Sequence, residues 1–349
     1  MFRLENILRE NIKKLVPYSS ARDEFKGGAS IFLDANENSF GSSLEKNYNR
    51  YPDPLQIKLK EKISKIKEVT IENIFLGNGS DEAIDILFRA FCNSGKDNVI
   101  IVPPTYGMYE VSANINDVEV RKVFLNAKFQ LNIDGILEVV NENTKLIFLC
   151  SPNNPTGNSL NRGDIEFVLN NFNGIVVIDE AYIDFSKQKS FISEFKKCPK
   201  LVVLQTLSKA WGLAGLRIGM AFASQQIIDV FNKIKSPYNI NEASQELAMK
   251  ALDNIEQVND WIKIIVVERD KLIEELKQFS FVKLIYPSDA NFLLVKVEEP
   301  TRVYQHLIKS GIIVRDRSEI TLCEDCLRIT VGTPEENIQL ISTLKQFKQ

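Results

Sequence analysis

The sequence predicts an α/β fold, with a large domain built on a mostly parallel sheet flanked by helices and a smaller α+β domain beside it. Three observations predict this. Short β-rich apolar runs without in/out alternation recur through the first two thirds of the chain, as in strands covered on both faces. Helical patterns lie between those runs and suit crossovers. After residue 241 the pattern becomes a long helical stretch followed by three further strand-like runs. With 349 residues the chain exceeds one ordinary core. The division expected is 1–40 as an N-terminal arm counted with the small domain, 41–250 as the large domain and 251–349 as the C-terminal small domain.

The elements follow in order. NVIIVP (98–103), VEVRKVF (118–124), KLIFLC (145–150), GIVVID (174–179), LVVLQT (201–206) and RIGMAFA (217–223) read as the strands of the large sheet. The helix announced by GNGSDEAIDILFRAF has Ser80 as its expected N-cap, acids at 81 and 82, and an apolar stripe of Ile84, Leu87, Phe88 and Phe91. From Glu242 to Phe279 there is neither Gly nor Pro, so one long helical spine is expected to lead into the small domain. There YPSDANFLLVKV (286–297), GIIVRD (311–316) and CLRITVG (326–332) read as strands.

Composition narrows the function classes. A hydrophobic fraction of 44% and a charged fraction of 26% are those of a globular protein. The net charge of -3, with Lys and Arg scattered, leaves no footprint for nucleic acid and favours a small-molecule ligand. The N-terminal MFRLENILRENIKKLVPYSS lacks the apolar core of a signal peptide, and no apolar run approaches spanning length, so a cytoplasmic location is expected. Five cysteines without a framework suit a reducing compartment. Cys323 and Cys326 form one CxxC; with no second pair and His306 as the single histidine, the sequence points to no metal and to no serine hydrolase. His306 reads as a surface or packing residue.

Ligands of open α/β sheets bind beyond the carboxyl ends of the strands. Asp179 ends one strand run, Asn154 follows another by four residues, Ser208 and Lys209 follow a third, and Ser80 opens a helix after a glycine turn. The helix start suits a phosphate, to which Ser208 and Arg217 add a hydroxyl and a guanidinium. Lys209 stands in an apolar, glycine-bearing run whose next cation is Arg217; a desolvated amine becomes a nucleophile toward an aldehyde. A ligand with a phosphate, an aldehyde and a basic ring nitrogen would occupy all these groups, and pyridoxal 5'-phosphate has all three. Lys209 then attaches the aldehyde, Asp179 pairs with the ring nitrogen, Asn154 and Tyr182 bond the ring's phenolic oxygen, and Tyr106 stacks on the ring face.

The motifs ANENSFG (35–41), RYPD (50–53), GNGSDE (77–82), PTYGMY (104–109), SPNNPTG (151–157), DEAY (179–182), TLSKAWGLAGLRIG (206–219), PYN (237–239), ANFLL (290–294), GIIVRD and LRITVGT (327–333) together resemble the histidinol-phosphate aminotransferases, which have the fold-type I architecture of pyridoxal-phosphate enzymes. The resemblance spans nearly the whole chain in order. It implies a transaminase moving an amino group between histidinol phosphate and 2-oxoglutarate by a ping-pong cycle in histidine biosynthesis. It also implies a homodimer in which Tyr51 reaches the partner's cofactor phosphate, and a phosphate cradle made by the amides of Gly79, Ser80 and Asp81. Tyr18, Asn36, Arg315 and Arg328 are implied to face the substrate, the two arginines gripping its phosphate. An aromatic or other amino-acid aminotransferase, or a decarboxylase of a phosphorylated amino acid, stays open on the same scaffold, as does a phosphate-binding protein without covalent chemistry.

Overall fold

The computed structural model describes residues 2–18 and 31–348. A seven-stranded sheet forms the large unit, in the order β1-β7-β6-β5-β4-β2-β3. Its strands are β1 (Ile74–Asn78), β2 (Asn98–Ile101), β3 (Glu119–Lys122), β4 (Thr144–Cys150), β5 (Ile175–Asp179), β6 (Leu201–Thr206) and β7 (Ile218–Ala223). Only β7 runs antiparallel to its neighbours, so the sheet is mostly parallel. Every residue of β2, β5, β6 and β7 is buried, as their continuous apolar runs require for strands covered on both faces.

The flanking helices are α2 (Ile57–Lys67), α3 (Ser80–Phe91), α4 (Met108–Ile115), α5 (Ile133–Val139), α6 (Arg162–Asn171) and α7 (Gln225–Ile234). In α3 the expected stripe of Ile84, Leu87, Phe88 and Phe91 is buried against the sheet. The N-cap of this helix is Gly79, not Ser80; it makes no side-chain cap bond and has φ of 74°. Glycine accepts that left-handed backbone without a Cβ penalty, and Ser80 becomes the first helical residue.

Two further differences concern the ends of the chain's units. The N-terminal arm includes α1 (Glu10–Lys14) and was expected with the small domain. Leu4 and Ile12 instead join the core around Phe88 and Phe231 of the large unit, and the Arg9 N–H donates to the Ala90 carbonyl (3.1 Å). An apolar stripe of Leu4, Leu8 and Ile12 finds its burial there. The spine is also not one helix: α8 (Glu242–Leu252) and α9 (Ile255–Leu276) are separated at Asp253 and Asn254, two residues that favour helix ends, and the Asp253 N–H closes α8 on the Lys250 and Ala251 carbonyls.

The small unit is an antiparallel sheet in the order β10-β11-β9-β8, from β8 (Val282–Ile285), β9 (Phe292–Val297), β10 (Arg315–Asp316) and β11 (Cys326–Thr330). Helices α9, α10 (Pro300–Lys309) and α11 (Pro334–Lys345) cover one face, burying Leu293 and Val295. The alternate residues Phe292 and Leu294 enter the same cluster as Ile178 and Val203 of the large sheet. β9 therefore fixes the small sheet against the large one. Among the described residues no helix is long and apolar enough to cross a membrane.

Candidate active site

Between the two sheets, at the carboxyl ends of β4, β5 and β6, lies a cavity of about 580 Å³. Gly79, Ser80, Asp81, Tyr106, Asn154, Asp179, Tyr182, Ser208, Lys209 and Arg217 line it from the large unit, and Arg315 and Arg328 from the small one. Parallel strands bring these positions together because consecutive strands end at the same edge of the sheet.

The site has a buried acid at its floor. Asp179, the last residue of β5, is 3% exposed; its Oδ2 accepts from the Tyr109 hydroxyl (2.7 Å) and its Oδ1 from the Ala181 N–H (3.1 Å). Burial raises its pKa, and the Tyr109 and Ala181 bonds and the Lys209 charge oppose that rise. A carboxylate so placed is short of positive charge, which a protonated ring nitrogen would supply. Tyr109 itself is wholly buried and stacks on Phe148 at 4.8 Å.

Lys209 follows β6 by three residues and opens into the cavity, its Nζ 5.5 Å from the centre of the Tyr182 ring. Desolvation lowers its pKa first, and the Arg328 charge lowers it further, while Asp179 pulls the other way. Lys209 is exposed to the open cavity, so the amine is accessible to a ligand, while the protein around it and the neighbouring guanidinium lower its pKa toward the neutral, nucleophilic form. Tyr182 is 7% exposed, and burial pushes its hydroxyl pKa upward. Its hydroxyl accepts from Asn154 Nδ2 (3.4 Å), and Asn154 Oδ1 accepts from Arg328 Nη1 (2.5 Å). Thus one amide ties the large sheet to the small one.

The opposite end of the cavity is suited to an anion. The start of α3 presents its amides without a side-chain cap, beside the positive end of the helix dipole. Arg217 has φ of 57°, and its carbonyl accepts from the Gly79 N–H (2.6 Å), which locks the two segments together. Arg217 Nη2 contacts Asp81 Oδ2 (3.4 Å), and the Tyr106 hydroxyl donates to Asp81 Oδ1 (3.0 Å). Ser208 Oγ accepts from the Thr206 hydroxyl (3.0 Å). Of the donors assigned to a phosphate, Arg217 is thus paired with an acid of this chain, the charge such a group would carry. Together with the Asp179 floor and the Lys209 amine, this donor set fits pyridoxal phosphate.

Three expected residues do not reach the cavity. Tyr18 is 74% exposed, and Asn36 and Tyr51 line a separate groove with Arg50 and Tyr238. Tyr51 is 51% exposed and stacks on Tyr238 at 4.5 Å. Two residues of the cavity region escaped sequence reasoning. Tyr109 sits in PTYGMY three residues after Tyr106, a helical spacing that places it beneath the site. Arg317 lines the cavity and follows Arg315 by two, the spacing of one strand face.

Cys323 and Cys326 are free, buried thiols, and burial pushes both up to about 12, so neither is a thiolate near neutrality. Ile320, ahead of them, lines the cavity, so this segment does border the site. His306 packs against Phe347 with its Nε2 on the Thr343 carbonyl (2.9 Å).

A cavity-facing lysine of lowered pKa sharing a cavity with a buried aspartate, with a helix-start anion cradle beside it on a mostly parallel sheet, defines a class of transaminase. The family model described as "Aminotransferase class I and II" matches residues 29–344, and the chain belongs to that family and, within it, to the histidinol-phosphate aminotransferases. A protein of that name from Cytophaga hutchinsonii is 54% identical over 346 residues, covering 99% of each chain. The solved histidinol-phosphate aminotransferase of Clostridium acetobutylicum is 25% identical with a TM-score of 0.78, covering 85% of this chain and 90% of that one. That of Sinorhizobium meliloti, solved in complex with pyridoxal-5'-phosphate, is 22% identical with a TM-score of 0.78, covering 89% and 88%; it speaks to the fold.

Proposed function

We propose that this protein moves the amino group of histidinol phosphate to 2-oxoglutarate, as a cytoplasmic homodimer working in histidine biosynthesis with pyridoxal phosphate in the cavity. The observation that carries the reading is the Lys209 amine, open to the cavity, lowered in pKa and sharing that cavity with the buried Asp179 carboxylate and the guanidiniums of the small sheet.

Bound pyridoxal phosphate supplies an aldehyde to which an amine attaches and a ring that takes up an electron pair. Asp179 holds a proton on the ring nitrogen. Asn154 and Tyr182 hold the ring's phenolic oxygen, and Tyr106 covers a ring face. The amides of Ser80 and Asp81, the Ser208 hydroxyl and Arg217 hold the phosphate, whereas the Gly79 N–H is already given to the Arg217 carbonyl, so Gly79 shapes the turn and is not a donor. Lys209 would be the group that holds the cofactor through its aldehyde, and its neutral amine would serve as the base that moves the proton of the substrate's amine-bearing carbon. Arg315 and Arg328 grip the donor's phosphate in one half-reaction and a glutamate carboxylate in the other, while Asn36 and Tyr18 lie outside this cavity and take no part in that grip within one chain. Tyr51 reaches the phosphate of the partner protomer's cofactor. Its place outside its own cavity, in a groove it shares with the exposed Leu44, supports a contact made across an interface.

The test is to mix the yellow holoprotein with histidinol phosphate without any keto acid and follow the visible absorbance in a stopped-flow instrument. Rapid loss of the band is expected, with its return on adding 2-oxoglutarate. A band that responds to glutamate but not to histidinol phosphate would overturn the donor, and aromatic amino acids and phosphothreonine would be tried next. A protein that cannot be made yellow would sink the cofactor too.

A further inference from the structure

Arg317 has no part in the roles above, yet it lines the cavity with Arg315 and Arg328. Arg315 and Arg328 are direct partners across β10 and β11, and the Arg317 N–H donates to the Cys326 carbonyl (2.9 Å), extending that ladder by one step. The spacing of two puts Arg317 on the face of Arg315. Among the described residues none of the three guanidiniums has a carboxylate within ion-pair distance, and the Arg317 Nε is buried without a hydrogen-bond partner. Burial lowers the Arg328 pKa first, and the charge of Arg317 lowers it more than that of Arg315 does.

Three uncompensated cations repel one another, and a bound anion offsets that repulsion. One bidentate arginine saturates a carboxylate, whereas a phosphate monoester has three free oxygens and nearly two charges. Two forks could reach all three, but Arg328 already gives Nη1 to Asn154 Oδ1, which leaves the pair short of donors. We propose that Arg317 is a specificity-determining residue that takes the third oxygen of the donor's phosphate and sets the preference for a phosphorylated donor over a plain amino acid. This rests on the donor reading above, but it can fail separately from it.

The experiment compares wild-type holoenzyme with Arg317→Gln and Arg317→Lys. Inorganic phosphate is used as a competitor of the glutamate half-reaction, and KM is measured for histidinol phosphate and for glutamate. Arg317→Gln should weaken phosphate inhibition by about tenfold or more and raise the KM ratio of histidinol phosphate to glutamate by about tenfold, with Arg317→Lys in between. Unchanged inhibition, or equal losses for both substrates, overturns the proposal. If phosphate inhibition depends on Arg317 while histidinol phosphate is not turned over, the anion site stands and the donor falls. Should Arg317→Gln not fold, the lysine variant carries the comparison, since it keeps the charge and loses the fork.

Discussion

Gly219 lies directly against the amide of Ser80: a Cβ built on it would come within 2.0 Å of that nitrogen and 2.2 Å of the Gly79 carbonyl carbon. The start of α3 can therefore sit on β7 only because position 219 has no side chain. Both neighbours are backbone, so neither can swing aside.

Gly219→Ala should displace the helix start and with it the uncapped amides that face the cavity. We expect a stability loss of about 1–3 kcal/mol by urea unfolding, as for overpacking elsewhere. Equilibrium dialysis should show a larger proportional loss of pyridoxal phosphate affinity. Unchanged affinity would mean that the amides do not hold the phosphate.

Tyr109→Phe removes the hydroxyl that donates to Asp179 while keeping the ring stacked on Phe148. The buried carboxylate loses a bond to its charged form, so its pKa should rise further and its hold on a ring proton should weaken. A charge-assisted bond of this kind contributes about 1.5–3 kcal/mol. Slower turnover with a visible band shifted in its pH dependence is the expected result. A wild-type pH profile would deny Tyr109 that part.

Arg328→Gln removes the largest charge effect lowering the Lys209 pKa. The amine should then stay protonated to higher pH, so the rate at which apoprotein turns yellow with added cofactor should have its inflection at higher pH than in the wild type. Arg328→Lys, which keeps the charge, should leave the inflection near its original place. Identical profiles for all three proteins would remove Arg328 from the control of Lys209.

Glu180, beside Asp179, concerns stability. It is 1% exposed, accepts from the Phe191 N–H (2.7 Å) and Gln205 Nε2 (2.9 Å), and burial raises its pKa to about 7. The folded state thus holds this proton where the unfolded chain, near 4.5, has released it. By linkage its contribution is fully present below pH 4.5 and is lost as pH rises through about 7. The wild type minus Glu180→Gln difference in unfolding free energy should fall by up to about 3 kcal/mol between pH 4.5 and 8. Urea titrations at several pH values measure it, and a flat difference would contradict the shift.

How much of this was legible depended on whether a residue's local pattern and its tertiary place agreed. Val176, Val202 and Phe222 lie in apolar runs that could only be covered strands, and so they are. β1 escaped notice because IFLGN ends in residues that read as a turn, and its pairing with β7 is supplied from far along the chain. β8 is four residues long and half exposed, too little pattern to announce a strand. Asp179, Asn154 and Lys209 could be placed because the ends of parallel strands share an edge by construction. Tyr109 could not, because nothing in its neighbours says that its hydroxyl ends beneath that edge. Tyr18, Asn36 and Tyr51 were known from resemblance alone, and the fold of one chain leaves them outside its cavity.

Lys209 and Asp179 stand on the seven-stranded sheet, whereas Arg315, Arg317 and Arg328 stand on the four-stranded one. What is done to a substrate and which substrate is admitted are thus written on different sheets, joined through Asn154. A lineage could rewrite positions 315–328 and acquire a new donor while its bond-making apparatus stayed untouched. The converse exchange would have to pass through β5 and β6, where every side chain is buried and each change disturbs the core.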